Sequence, residues 1–286
     1  MMSAMASAED FQAHRPLLIS IAYRMLGSMA EAEDIVQDAW LRWQAPPDQP
    51  VESPRAWLST VVTRLCLDQL KSARVQRESY VGPWLPEPTR TDQPPVRDAE
   101  SISMAFLLLL ESLSPVERAV YLLHEVFDYS HAEVAVIVGK EESACRQMLH
   151  RAREHLRERR PRFAASPEAH QRLLGTFLQA GTAGDLDWLR TMLAADATAW
   201  SDGGGRVRAA LKPVLGADAV ARFLIGVGKK TPPGPGTIIE LTNVNGWPAL
   251  ITRVGATANM MLTIETDGDK VFGVHIILNP DKLARL

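Results

Sequence analysis

Apolar residues recur at three- and four-residue spacing up to about residue 160, and from residue 237 they fall into short β-branched runs broken by turn residues. The helical part opens with Leu17, Leu18, Ile21, Ala22, Met25 and Leu26, which predict a helix over 11–26 that stops at Gly27. Ser28 and Glu31 have capping-box spacing for a second helix reaching about Gln44, with Ile35, Val36, Ala39, Trp40 and Trp43 as its apolar stripe. The proline-rich stretch 45–53 is a loop, and Ser53-Pro54 caps a third helix packed through Trp57, Leu58, Val61, Val62, Leu65, Cys66 and Leu70. Residues 82–95, with WLPEP at 84–88, deny regular backbone pairing and read as a linker. Trp84 and Leu85 are large apolar residues that a solvated tether does not need, so this block is expected to dock on a folded domain.

Helix resumes near Asp98 and continues through the apolar run 104–110. Ser114-Pro115-Val116-Glu117 combines an N-cap, a proline at the first helical position and a capping-box glutamate, and so starts another helix. Ser130 with Glu133 opens a short helix through Val134, Ala135 and Val138. Gly139 turns the chain, and a longer helix packs through Ala144, Cys145, Met148, Leu149, Ala152 and Leu156. Beyond 167 the pattern changes. Helices are expected over 170–179, 186–193 and 216–227, then strands over 237–244, 249–254, 258–266 and 271–278, with Asn245-Gly246 and Asp267-Gly268 as hairpin signals. This is an α+β domain built of helices and an antiparallel sheet.

The 286 residues are enough for about two domains, each with its own core. The formal net charge of -3 hides a segregation: acidic residues gather at Glu31, Glu33, Asp34 and Asp38, and basic ones over 55–77 and 146–162. Local basic faces, rather than net charge, would set nucleic-acid contact. The two cysteines, Cys66 and Cys145, sit at apolar helix positions in neither metal-ligand nor redox spacing, so no metal or cofactor is expected. The longest apolar run falls far short of the roughly 20 residues that span a bilayer, and the start lacks a signal-peptide pattern. The expected compartment is the cytoplasm, with no membrane partner.

A short helix, a glycine turn and a basic second helix form the pattern of a helix-turn-helix, whose second helix enters the major groove. Its polar positions are Arg146, Gln147, His150, Arg151 and Arg153. Arg146 and Gln147 lie early, where arginine pairs with guanine and glutamine with adenine. A helical hairpin with a solvated basic face is the plainer alternative. The third helix carries Arg55, Arg64, Lys71, Arg74 and Arg77, a solubilising surface or a phosphate-tracking one. The face of Glu33, Asp34, Gln37 and Asp38 is either solvated or the dock for a basic partner.

Residues 23–43, YRMLGSMAEAEDIVQDAWLRW, and 54–71, PRAWLSTVVTRLCLDQLK, resemble the region-two helices of an extracytoplasmic-function sigma factor, and 113–156 resembles region four. WLPEP, the loop Asp202-Gly203-Gly204-Gly205-Arg206 and the tail Asn279-Pro280-Asp281-Lys282-Leu283 resemble the group with a fused SnoaL-like extension, the SigJ-like or ECF41-like type. The resemblance implies two all-α sigma domains, a region 2 bundle over 8–79 and a region 4 helix-turn-helix over 99–162. A proline-rich linker over 80–98 joins them, and an α+β SnoaL/NTF2-like cone follows over 167–286. It implies core RNA polymerase as partner of the Glu33, Asp34, Gln37 and Asp38 face. The minus-10 element would meet loop 45–53 and the basic helix with Arg64, Lys71, Arg74 and Arg77, and the minus-35 element would meet Arg146, Gln147, His150, Arg151 and Arg153. Glu141 and Glu142 stand where the family often has a Ser or Thr cap, which leaves the start of the recognition helix open.

The fused domain is expected to contact region 2 and the linker, through Trp84, Leu85, Pro86, Glu87 and Pro88, the 202–206 loop and the 279–283 tail. Two other readings compete. A one-component regulator would use the C-terminal fold as a ligand sensor. An isomerase- or cyclase-like enzyme would use Asp202 or His275 as general base, but a turn aspartate among glycines and one strand histidine suit structural roles better, so no catalytic residue is assigned.

Overall fold

The computed structural model describes residues 7–44, 51–78, 80–91, 102–159, 165–230, 232 and 234–286, without the side chains of 72–78, 158 and 159. Most of loop 45–53, the linker beyond Thr91 and the expected helix start near Asp98 lie outside them. The chain forms two compact units, one from residues 1–78 and 109–160, the other from 79–108 and 161–286.

In the first unit, α1 (Ala8–Leu26) begins at a Ser7 N-cap and ends at Gly27, whose φ of 70° supplies the left-handed turn. α2 (Met29–Gln44) buries Ala32, Ile35, Val36, Ala39 and Trp43. α3 (Pro54–Glu78) starts where Ser53 Oγ accepts from Ala56 N (3.3 Å) and buries Leu58, Val62, Cys66 and Leu70. Burial pushes the Cys66 thiol pKa well up, so it serves as a small core group. α4 (Met104–Leu110) is the apolar run, shorter than a helix resuming at Asp98 would be, and only its last turn belongs to this unit. α5 (Pro115–Tyr121) has the complete capping box of Ser114 and Glu117, and a π turn over Leu122–Val126 follows it. α6 (His131–Val138) is capped reciprocally by Ser130 and Glu133, whose carboxyl pKa those hydrogen bonds lower. Gly139 (φ 66°) closes α6, and α7 (Glu142–Arg159) follows.

The second unit places α8 (Pro167–Ala183), α9 (Leu186–Met192) and α10 (Ala217–Lys230) with a six-stranded sheet of order β2-β1-β6-β5-β4-β3. The strands are β1 (Leu193–Asp202), β2 (Val214–Leu215), β3 (Thr237–Val244), β4 (Trp247–Val254), β5 (Thr257–Thr266) and β6 (Val271–Ile277), and α11 (Pro280–Leu283) closes the chain. β3 to β6 run antiparallel as expected, but the sheet is mixed because β6 pairs in parallel with β1, from Thr198 opposite Gly273 to Asp202 opposite Ile277. β1 corrects the sequence reading, which ends a helix at Leu193 and sees Asp202 only as a turn residue. Two apolar clusters hold this unit. One packs Leu174, Phe177, Leu189 and Val220 with Val274. The other gathers Val244, Ile251, Met261 and Ile277 around Leu85 and Met104, which come from outside the C-terminal domain.

Candidate nucleic-acid interface and linker clamp

α7 buries Cys145, Leu149, Ala152 and Leu156, so its opposite face presents Arg146, Gln147, His150, Arg151 and Arg153 to solvent. The face is laced with acids. Arg146 pairs with Glu142 one turn earlier, His150 Nε2 lies 3.6 Å from Glu154 Oε2, and Arg153 Nη2 donates to Glu125 Oε1 at 2.6 Å. Exposed pairs of this kind are worth about 0–1 kcal/mol, so the two arginines are held only weakly by their carboxylates.

On α2, Asp34, Gln37 and Asp38 are exposed and Glu33 is half-buried. The basic residues of α3 divide. Lys71 pairs with Asp68 at 2.7 Å in the open, and the Arg74 and Arg77 side chains lie outside the described residues. Arg64 is spoken for: Nε donates to Ile137 O (3.1 Å) and Nη2 to Val136 O (3.1 Å), capping the carbonyl end of α6 as cations do. Arg55 Nη2 donates to Phe127 O (3.2 Å), its guanidinium lies 4.8 Å from the Tyr129 ring centroid, and Ser59 Oγ and Tyr129 Oη are 2.7 Å apart. Arg118, nearly fully buried, donates to Met25 O (2.6 Å) and Glu111 Oε1 (2.7 Å), and burial lowers its pKa to about 10. The two helical blocks are thus one packed unit, and in this arrangement Arg64 serves that packing.

The second unit is organised on Asp202. This fully buried carboxylate accepts from Tyr80 Oη (2.6 Å), Leu85 N (2.9 Å), Gly204 N (3.0 Å) and Lys282 Nζ (2.7 Å). Lys282 also donates to Leu85 O and stands 4.3 Å from the Trp84 ring centroid and 5.1 Å from that of Tyr80. Asn279 caps α11 and donates to Tyr80 Oη at 3.0 Å. Burial, then the bond to Asp202, raise the Tyr80 pKa strongly, so the phenol remains a donor.

The glycines of the 202–206 loop have specific reasons. A Cβ at Gly203 would overlap Val207 O, and one at Gly204 (φ 59°) would overlap the Asn279 side chain. Leu85, Pro86, Glu87 and Pro88 are buried, with Leu85 in the apolar cluster beside Leu283 and Glu87 3.5 Å from Arg285 Nε. Two prolines suit a buried extended strap because they bring no N–H to satisfy. Further along, Thr89 N donates to Asn245 Oδ1 (3.0 Å), Asn245 Nδ2 donates to Ile102 O (2.9 Å), and Arg90 bridges to Val244 on edge strand β3. Arg206 and Asp281 form an exposed pair at 3.3 Å, peripheral to Asp202.

Tyr80 and Asn245 are site residues that sequence reasoning missed. Tyr80 stands just before WLPEP, and Asn245 was legible only as a turn residue, which its φ of 52° confirms it also is. Asp202, weighed as a general base, is instead engaged by four donors and is a structural anchor. His275 lies elsewhere in the same domain, 2.9 Å from Glu265.

Similarity to known proteins agrees with this geometry. Residues 11–75 match the Sigma-70 region 2 model and 103–156 the Sigma-70 region 4 model, which defines a transcription-initiation factor of the sigma-70 class. The ECF RNA polymerase sigma factor SigJ of Mycobacterium tuberculosis is 39% identical over 96% of this chain and 92% of its own. The probable ECF sigma factor SigI of the same species is 31% identical over 96% and 94%. The crystal structure of M. tuberculosis SigJ superposes with a TM-score of 0.78 at 36% identity, covering 98% of this chain and 99% of that one. The chain belongs to the extracytoplasmic-function RNA polymerase sigma factors, with an α+β domain fused after region 4.

Proposed function

We propose that α7 reads the minus-35 element through Arg146, Gln147, His150, Arg151 and Arg153, while the Glu33, Asp34, Gln37 and Asp38 face of α2 docks on core RNA polymerase. Region 2 meets the minus-10 element through loop 45–53 and the basic residues Lys71, Arg74 and Arg77. Arg64 joins them only after it leaves the α6 carbonyls, so promoter binding and separation of the two helical blocks are one event. Region 2 spans 8–79, the linker 80–98, region 4 99–162 and the regulatory domain 167–286. The protein acts in the cytoplasm, in line with the absence among the described residues of a helix long and apolar enough to cross a membrane. The C-terminal domain is regulatory and not catalytic.

The observation that carries the regulatory part is the convergence on Asp202 of strap, glycine loop and tail, three segments separated by up to 199 residues. A strap held at Tyr80 and Leu85 shortens the tether between the two DNA readers, and tether length sets the effective concentration of one reader once the other is bound. Transcription from a bipartite promoter, reconstituted with core polymerase and the full chain, tests the reading. Replacing Arg146 and Gln147 by Ala lowers output at least tenfold and relaxes the preference at the minus-35 element. Tight duplex binding without polymerase, and no polymerase-dependent initiation, would instead identify a one-component regulator.

A further inference from the structure

The two edges of the six-stranded sheet are protected to different degrees. One edge is β2, only two residues long, and a very short edge strand is one of the devices that keep a sheet from pairing with other chains. The other is β3, eight residues long, in unbroken antiparallel register with β4 from Thr237 opposite Val254 to Val244 opposite Trp247. The two-residue turn Asn245-Gly246 makes Val244 and Trp247 a hydrogen-bonded pair. Val244, Thr242, Glu240 and Ile238 therefore bond inward to β4, while Asn243, Leu241, Ile239 and Thr237 turn their backbone groups out of the sheet. The strap uses this outward side: Thr91 N donates to Asn243 O (3.0 Å) and Asn245 N to Thr89 O (2.8 Å), around the Arg90–Val244 bridge. The edge thus accepts an antiparallel partner, and the strap takes only its far end.

The stretch 237–241 lacks the usual protection. Ile238, Ile239 and Leu241 are 57%, 56% and 57% exposed. The stretch holds no lysine, no proline and no bulge against β4. Its one charge, Glu240, is already met by Arg253 Nε (3.0 Å) and Arg90 Nη2 (2.5 Å). Nor does the strap's sequence suit an extended ladder: continued in register, position 95 would stand opposite Ile239, and Pro95 has no N–H to give. An exposed apolar edge of this kind is a template for another chain.

A second copy of this chain matches the template. With Ile239 opposite its own counterpart, antiparallel pairing obeys a two-fold axis, the commonest symmetry of homo-oligomers. Leu241 then lies opposite Thr237 and Ile238 opposite Glu240, so apolar side chains meet at the axis and the two carboxylates stay apart. Centring the pair on Glu240 instead would set carboxylate against carboxylate and bring Thr237 onto Asn243, which Thr91 holds. In the favoured register Gly236 (φ 78°), where the chain turns, comes opposite Thr242, one residue short of that contact. Ile239 gives to and takes from its counterpart, and Leu241 N gives to Thr237 O. Thr237 N is already used by Gly234 O (3.1 Å). We infer that β3 is a homodimerisation edge, joining two copies of the C-terminal sheet across 237–241. So narrow an interface is of the weak, transient class. It is independent of the promoter-reading proposal, and its test uses neither polymerase nor DNA.

The full chain is sedimented to equilibrium between about 1 and 500 µM, the range in which a weak association is read. The mass is expected to rise from 31.5 kDa toward twice that value. Amide exchange by NMR identifies the contact: the Ile239 and Leu241 amides, open in dilute samples, become protected as concentration rises, which a dimer packed through a sheet face or a helix would not produce. Ile239→Lys sets charge against charge at the axis and weakens the dimer on the order of tenfold. Ile239→Pro removes only an outward N–H, keeps the bonds to β4 and has the same effect, so either variant serves if the other misfolds. Leu215→Lys, on the short edge strand β2, leaves the dimer unchanged. A mass of 31.5 kDa throughout overturns the inference, as does a dimer indifferent to both Ile239 substitutions. Ile239 and Leu241 amides protected at every concentration would mean that another segment of the same chain fills the edge, and would overturn it equally.

Discussion

The α7 face and the Asp202 clamp solve opposite problems. On α7 every proposed contact residue is exposed, and its acidic partners are neighbours on the surface. Around Asp202 the charges are buried and each is met: the carboxylate has four donors, and Lys282 has a carboxylate, a carbonyl and two aromatic faces. Exposed pairs exchange partners freely, whereas a buried pair resists the loss of either member. A promoter reader must let go of its own acids, and a strap that sets the tether must not slip. The Arg64 and Arg55 contacts lie between these extremes, using charged donors on backbone carbonyls that are part-buried or exposed, which suits the opening proposed for this contact.

The comparison breaks first at Asp202. Asp202→Ala strands Lys282 and the Leu85 amide in a buried site and is expected to cost about 3–5 kcal/mol, seen in denaturant unfolding of the C-terminal unit and in faster amide exchange over 80–91. Leu85→Ala leaves the charges intact and empties a fully buried apolar position, with an expected cost of about 2–4 kcal/mol.

The second unit also carries a pH dependence at His170. The His170 pKa falls from 6.5 unfolded to about 4 folded, so between those values the unfolded chain binds more protons. Stability is therefore full above about pH 6.5 and declines as pH falls toward 4, by about 3 kcal/mol at 1.36 kcal/mol per pKa unit. Unfolding titrations of wild type and His170→Phe between pH 7 and 4 check this; the variant should lose that slope. The smallest effect belongs to the exposed set. Glu142→Ala frees Arg146 and changes stability by less than about 0.5 kcal/mol, while promoter affinity at low salt rises modestly, as a competing anion is removed.

Much of this was legible because local signals and tertiary outcome agree. Capping boxes at Ser114 and Ser130, glycine stops at Gly27 and Gly139 and the Asn245-Gly246 hairpin all operate as their chemistry demands. Strands β3 to β6 begin and end within two residues of the alternating runs. β1 was hidden because Ala194, Ala195, Ala197 and Ala199 favour helix, and only pairing between β2 and β6 makes them strand. α8 extends beyond its expected ends because Ser166-Pro167 is a cap and N1 proline, and Gly184 a left-handed stop.

For the site, resemblance singled out the three motifs, but nothing in the spacing reveals that they converge on one carboxylate. Tyr80 lies 122 positions from Asp202 and 199 from Asn279, so no local pattern marks it. Arg64 shows the converse limit. A cation on a basic helix looks the same in sequence whether it awaits phosphate or caps a carbonyl.

The central claim is that the clamp on Asp202 governs promoter output without touching promoter DNA. It is tested most directly by transcription with core polymerase and the full-length Asp202→Ala chain, at saturating σ so that polymerase binding is equal. The account predicts a change in output of severalfold or more, shared by Lys282→Ala and absent from the peripheral variant Arg206→Ala. Output equal to wild type with the strap shown by amide exchange to be released would contradict it.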